Sequence, residues 1–151
     1  MARYYPVSPL YWSDDTVVGW KDSEKLLALY LLTCPHRNLE GLYRLPVAYI
    51  EADLGWDRRQ VQDAMTTMIV KRFAAYDTKA SVVWLPNALK YHQPATKPQV
   101  QGALNALQAV PDTPLFEHFA EAAKHYAPRL YEALGEPLTE PLTEGVEEPH
   151  E

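Results

Sequence analysis

Residues 54–57 read Leu-Gly-Trp-Asp, and this short break between two amphipathic stretches constrains the fold more than any other feature of the chain. Ahead of it, Val47, Ile50 and Leu54 recur at i, i+3 and i+7, one face of a helix of about two turns. Pro46 opens that stretch, where its fixed φ and missing N–H suit a helix's first turn. Behind the break, Val61, Ala64, Met65, Met68 and Ile69 recur at i, i+3, i+4, i+7 and i+8, so a longer helix runs from Arg58 to about Lys71. Gly55 tolerates the left-handed conformation that ends a helix, and Asp57 offers a carboxylate to cap the next one. Two helices joined through Gly55-Trp56-Asp57 read as a helix-turn-helix.

The flanking segments extend this unit. Asp22–Cys34 is rich in strong helix formers and apolar nearly all round, which predicts a central buried helix capped by Asp22 or Ser23 and stopped by Pro35. The turn Pro35–Gly41 leads into a short strand, Leu42–Leu45. After the second helix of the pair the period changes to two. Phe73–Tyr76 and Val82–Leu85 read as strands of a hairpin with Lys79 at its tip. Helix, strand, helix, helix, hairpin is the order of a winged helix, so the expected fold is mostly α with a small antiparallel sheet.

Arg3–Asp15 reads as an extended segment packed on the domain, with Ser13-Asp14-Asp15 capping a short helix through Val18. Pro86–Pro94 reads as irregular or a single helical turn. Thr96 can cap a helix running to about Ala109, and Leu115–Tyr126 with Pro128–Leu134 supply one or two more. The expected organisation is a winged helix-turn-helix domain over 1–92, a helical appendage over 93–134 and a disordered acidic tail over 135–151. Trp12, Trp20, Trp56 and Trp84 are expected as core anchors ahead of base-stacking platforms.

The formal net charge of −6 looks wrong for a nucleic-acid binder until its distribution is followed. Of the 20 acids, six lie in the last seventeen residues, so residues 1–134 balance 14 basic against 14 acidic groups. Within Trp56–Lys97 seven basic residues face three acids, a local excess of +4. Such a patch attracts phosphate on an otherwise neutral body, because fields are screened over roughly 8–10 Å. No stretch approaches the ~20 apolar residues of a membrane span, and the N-terminus lacks the apolar run of a secretory signal. With Cys34 as the one cysteine, no intrachain disulfide can form. These features predict a protein of the cytoplasm that does not engage a membrane.

In a winged helix the second helix of the pair enters the major groove with its N-terminal residues nearest the bases. Here those are Arg58, Arg59 and Gln60, followed on the exposed face by Gln62, Asp63, Thr66 and Thr67. Arginine can pair bidentately with guanine and glutamine with adenine; the alternative is a solvated first turn with no ligand. Lys79 can reach DNA from the wing or serve solubility alone. Lys71-Arg72 suits the helix C-terminal dipole better than phosphate. Lys90, in Lys90-Tyr91-His92-Gln93, is a further candidate phosphate contact, although packing of that segment suits its composition better. The candidate DNA-binding set is therefore Arg58, Arg59, Gln60, Gln62, Thr66, Lys79 and Lys90.

Signs of catalysis are weak. Cys34 and His36 lack a second pair at zinc-ligand spacing, and His118 and His125 suit the boundary of an amphipathic helix. No glycine-rich phosphate loop exists, and Asp14-Asp15 reads as a cap. No catalytic group, metal or cofactor is expected.

Leu26–Thr33 followed by Gly41-Leu42-Tyr43-Arg44-Leu45-Pro46 resembles the N-terminal domain of phage and prophage replication initiation proteins. Ala52–Trp56, Tyr76-Asp77 and Val83–Tyr91 continue the likeness, which covers about residues 4–105 and is similar to replisome organisers and DnaD-type primosome proteins. The resemblance implies duplex DNA binding through the winged helix, homo-oligomerisation, and recruitment of a helicase or helicase loader. The chain departs from the family plan by ending in an acidic tail instead of a second domain. Two other readings stay open: a winged helix used for protein interaction or oligomerisation, and a small transcriptional regulator.

Overall fold

The computed structural model describes residues 5–135. The chain is mostly helical with one small three-stranded antiparallel sheet. A 3-10 turn, Pro9–Ser13, leads into α1 (Asp15–Val18), α2 (Asp22–Thr33), β1 (Leu42–Arg44), α3 (Val47–Leu54) and α4 (Arg58–Val70). The hairpin β2 (Ala75–Asp77) and β3 (Val82–Trp84) follows, then α5 (Ala88–Tyr91), α6 (Lys97–Gln108), α7 (Leu115–Tyr126) and α8 (128–135). The expected tail beyond residue 135 lies outside the described residues, as do residues 1–4.

The sheet is ordered β1-β3-β2. On the central strand Trp84 faces Leu42 and Ala75, Val83 faces Tyr43 and Tyr76, and Val82 faces Arg44 and Asp77. Because successive strand residues point to opposite faces, the sheet serves two cores. Tyr43, Val83 and the following Leu85 pack with Leu27, Leu31, Ile50, Val61, Met65 and Met68 of α2, α3 and α4. Leu42 and Val82 point the other way and join Leu89, Leu107, Phe119, Ala123 and Leu130 in a second core. The helices after Thr96 therefore form a layer on the sheet's far face.

Local chemistry explains most element ends. Asp14 caps α1 by accepting from Thr16 N–H at 2.8 Å. Thr96 and Gln99 form a reciprocal capping box at α6, where Thr96 Oγ1 accepts from Gln99 N–H at 3.2 Å and Gln99 Oε1 accepts from Thr96 N–H at the same distance. At α2 the helix starts one residue earlier than the Asp22 or Ser23 cap predicts. Lys21 is the N-cap, and its backbone N–H donates to Glu24 Oε1 at 2.9 Å. The other Glu24 oxygen accepts from the Thr67 hydroxyl at 2.8 Å, tying the start of α2 to α4.

Four packing expectations are corrected. Residues 9–13 wind into the 3-10 turn and are not extended, while α1 forms through Val18 as expected; prolines and aromatics mask a Ser8 cap that accepts from Leu10 N–H. Trp12 is 61% exposed, because the 3-10 turn buries Tyr11 in its place, with the Tyr11 hydroxyl donating to Lys25 O at 2.6 Å. Of the other tryptophans Trp20 is buried, while Trp56 and Trp84 are half-buried edges of the two cores. Ile69 is also exposed, and Leu26 leaves α2 with one open side.

Candidate nucleic-acid interface

Gly55 adopts φ 70°, ψ 31°, and its N–H returns to Glu51 O at 2.9 Å, closing α3 in the left-handed manner only glycine adopts cheaply. Two residues later Asp57 Oδ1 accepts from Gln60 N–H at 2.8 Å, while Gln60 Oε1 accepts from Asp57 N–H at 2.9 Å. This capping box starts α4 abruptly and sets its direction. It also commits the Gln60 carbonyl oxygen to the cap, leaving only the amide NH2 for another partner, so bidentate adenine recognition by Gln60 requires the cap to open.

From this start α4 turns Val61, Ala64, Met65 and Met68 into the core and presents Arg59, Gln62, Asp63 and Thr66 to solvent. The Thr66 hydroxyl donates back to Gln62 O at 2.9 Å, which leaves its lone pairs outward. Thr67 is drawn inward to Glu24. Arg58 reaches back across the turn, its Nε 2.8 Å from Glu51 Oε2. Arg59 has no carboxylate within ion-pair distance among the described residues. The two adjacent arginines thus differ: one is held against α3, the other is open.

The remaining sequence candidates are dispersed. Lys79 is exposed in the hairpin turn, with its N–H donating to Asp77 Oδ1 at 3.0 Å. The other Asp77 oxygen accepts from the Thr113 hydroxyl at 2.7 Å, so the linker between α6 and α7 holds the hairpin from its far side. That hydroxyl is the main reason the Asp77 carboxyl sits below the usual carboxylate range. Lys90 rides on α5, which packs chiefly against α7, and its ammonium lies 5.6 Å from the centre of the exposed Tyr91 ring. Lys71 and Arg72 lie at the exit of α4, where Arg72 takes φ 61° and its N–H donates to Ile69 O at 3.0 Å.

A group that sequence reading did not single out lies where the end of β1 meets α3. Arg44 ends β1, and its guanidinium stands 5.7 Å from the Tyr49 ring centre on α3, with Nη1 3.4 Å from the Tyr49 hydroxyl. The imidazole of His36 lies on the same tyrosine at 4.9 Å. His36 Nε2 is in turn 3.1 Å from Asp53 Oδ2, which also accepts from the Tyr30 hydroxyl at 2.6 Å. The Tyr30 bond, with a smaller contribution from His36, holds the Asp53 carboxyl low. Arg44 is five residues from Tyr49 in sequence, but nothing in either segment alone says that the strand end and the helix meet.

Cys34 is buried and donates weakly towards the Tyr43 hydroxyl at 4.0 Å, with burial pushing its thiol up in pKa. Among the described residues no three His, Cys, Asp or Glu side chains gather into a metal-binding group. Nor is any helix there long and apolar enough to cross a membrane. Comparison with known proteins gives no match to this chain, whether among protein-family models, curated proteins or solved structures.

Proposed function

We propose that the chain is a non-enzymatic duplex-DNA-binding protein in which α3 and α4 act as a winged helix-turn-helix and α4 enters the major groove. The observation that carries this reading is the open stripe Arg59, Gln62 and Thr66 on α4, started by the Gly55 turn and the Asp57 cap. These side chains combine a guanidinium, an amide and a hydroxyl, the groups that read base edges by hydrogen bonding. Arg58 enters DNA only by leaving Glu51, which makes it the weaker contributor of the pair. The biological setting we propose is phage-type replication initiation in the cytoplasm of a bacterium or an infected host. A helicase or helicase loader and further copies of the chain are its proposed protein partners. That setting rests on the likeness of core and turn residues to replication initiation proteins.

Fluorescence anisotropy of the full chain on labelled duplexes tests the DNA reading. Wild-type affinity should fall steeply with salt, since each phosphate contact releases counterion. Replacing Arg58 and Arg59 together by Ala should weaken binding by about tenfold or more, the loss expected when base and phosphate contacts go together, without lowering the melting temperature appreciably. Unchanged affinity in that variant overturns the proposed interface. A second reading, a protein-interaction winged helix, draws on one observation: Trp12 and Leu26 are both exposed and line one shallow cleft along α2. Size-exclusion chromatography of the DNA-free protein distinguishes it, because self-association with no duplex binding supports the interaction module.

A further inference from the structure

We infer that Arg44, braced by Tyr49, forms a second phosphate contact on duplex DNA, separate from the base-facing stripe of α4. This inference rests on the duplex-DNA reading above and deepens it by assigning a residue outside the recognition helix. The argument begins with charge. Arg44 is exposed, and among the described residues no carboxylate lies within ion-pair distance of it. Among the described residues its one hydrogen-bond partner is the Tyr49 hydroxyl, at a long 3.4 Å. A guanidinium with one weak partner keeps most of its N–H donors for a ligand.

The second step is placement. The Tyr76 hydroxyl donates to Leu45 O at 2.7 Å at the base of the hairpin. Burial raises the pKa of this phenol and the Ser81 side chain opposes it; of the nearby charges the Asp77 carboxylate raises it, while Arg44 on β1 and Arg58 on α4 lower it. Arg58 is neutralised by Glu51, and Arg44 is not. Of the two guanidinium groups that act on Tyr76, Arg44 is the one with no carboxylate within ion-pair distance among the described residues.

The third step selects the ligand chemistry. An exposed tyrosine beside an arginine can act as a stacking platform for an unpaired base. Here the Tyr49 ring already has the guanidinium of Arg44 and the imidazole of His36 against it, at 5.7 Å and 4.9 Å. His36 is fixed in turn by Asp53. With Arg44 Nη1 3.4 Å from its hydroxyl, the tyrosine orients the guanidinium. What the group offers outward is a fork of N–H donors, which matches a phosphate oxygen pair. The duplex, as the source of that phosphate, follows from the α4 reading on which this inference rests.

A phosphate contact carries no base information, and this separates it from Arg59. Anisotropy titrations of the full chain against two duplexes of unrelated sequence, at several salt concentrations, should compare wild type with Arg44→Ala, Arg44→Lys and Arg59→Ala. Arg44→Ala should weaken both duplexes equally, by about eightfold at 0.1 M salt, and reduce the salt slope by about 0.9, the contribution of one neutralised phosphate. Arg44→Lys should retain the slope. Because Arg44 is exposed, circular dichroism should show an unchanged melt in both variants.

An Arg44→Ala slope and affinity equal to wild type, with Arg59→Ala still impaired, overturns the inference while leaving the α4 interface standing. A loss confined to one duplex also overturns it, because that is base reading. If wild type binds neither duplex, the DNA reading fails and this inference fails with it. Stronger binding of single-stranded than duplex DNA that depends on Arg44 overturns the choice of ligand.

Discussion

Two glycines in left-handed backbone make the residue scale quantitative. Gly55 has φ 70° with nothing within 4 Å of where a Cβ would stand. Gly55→Ala therefore costs only backbone strain, about 1–2 kcal/mol. Gly41 has φ 80°, but a Cβ there would sit 2.4 Å from the Ala88 Cβ of α5. Gly41→Ala adds a clash between close-packed elements to the same strain, for a total of about 2–5 kcal/mol. Urea denaturation of the two variants should place Gly41→Ala clearly below Gly55→Ala, and equal losses would show that α5 moves aside freely. The asymmetry was only half legible in the sequence. Gly55 announces itself, since it stands between two periodic stretches and ahead of a capping Asp57. Gly41 reads as the end of a turn, and its neighbour 47 positions away belongs to a contact that only the closed sheet creates. Arg44 escaped notice for the same reason, whereas Arg59 did not, because its helix declares its own exposed face.

At the scale of elements, single side chains of modest exposure join pieces that sequence reading treats separately. Asp77 is the example with the clearest consequence. Its carboxylate gathers the N–H groups of Lys79 and Ala80 within the hairpin and the Thr113 hydroxyl from the α6–α7 linker. A carboxyl held below its ordinary pKa stabilises the fold above the unfolded value and loses that contribution as pH falls through the folded one. Asp77, Asp53 and Glu24 are all held low, led respectively by Thr113, by Tyr30 and by the Lys21 backbone N–H. These three carboxylates should therefore withdraw their contribution from about pH 4 downwards, while Glu40, whose carboxyl burial pushes up, acts in the opposite sense. Thr113→Val removes the strongest partner of Asp77. Its carboxyl titration, followed by NMR, should then move up towards the ordinary aspartate value, and the acid limb of unfolding should become shallower. An unmoved Asp77 titration would mean that the turn N–H groups alone hold it low. The caps at Asp57 and Thr96 were readable because N-cap and partner stand three residues apart. The Thr113 link spans 36 positions and has no local signature.

The whole molecule is organised by the sheet having two dry faces, and this decides what can be removed from it. Leu42, Val82 and Leu89 belong by sequence to the first 92 residues, yet each is essentially fully buried in the core built with α6, α7 and α8. Strands of three residues alternate too briefly to reveal that both faces are covered. The amphipathic periods of 97–108 and 115–126 show an apolar side without saying what it meets. Cutting the chain after residue 92 exposes those three side chains, and each is worth about 1.5–3 kcal/mol when buried. The sum, about 5–9 kcal/mol, matches the entire stability of an ordinary domain, about 5–15 kcal/mol. Trp84 and Ala80, half-buried on the same face, add to the deficit, and Asp77 loses Thr113 at the same cut. The fragment 1–92 should consequently lack a cooperative thermal transition and aggregate, whereas the full chain should melt cooperatively. A sharp melt in the short fragment would show that the N-terminal core holds α3 and α4 alone. The hairpin would then be free of the C-terminal helices, and DNA binding by the fragment could be measured directly against that of the intact chain.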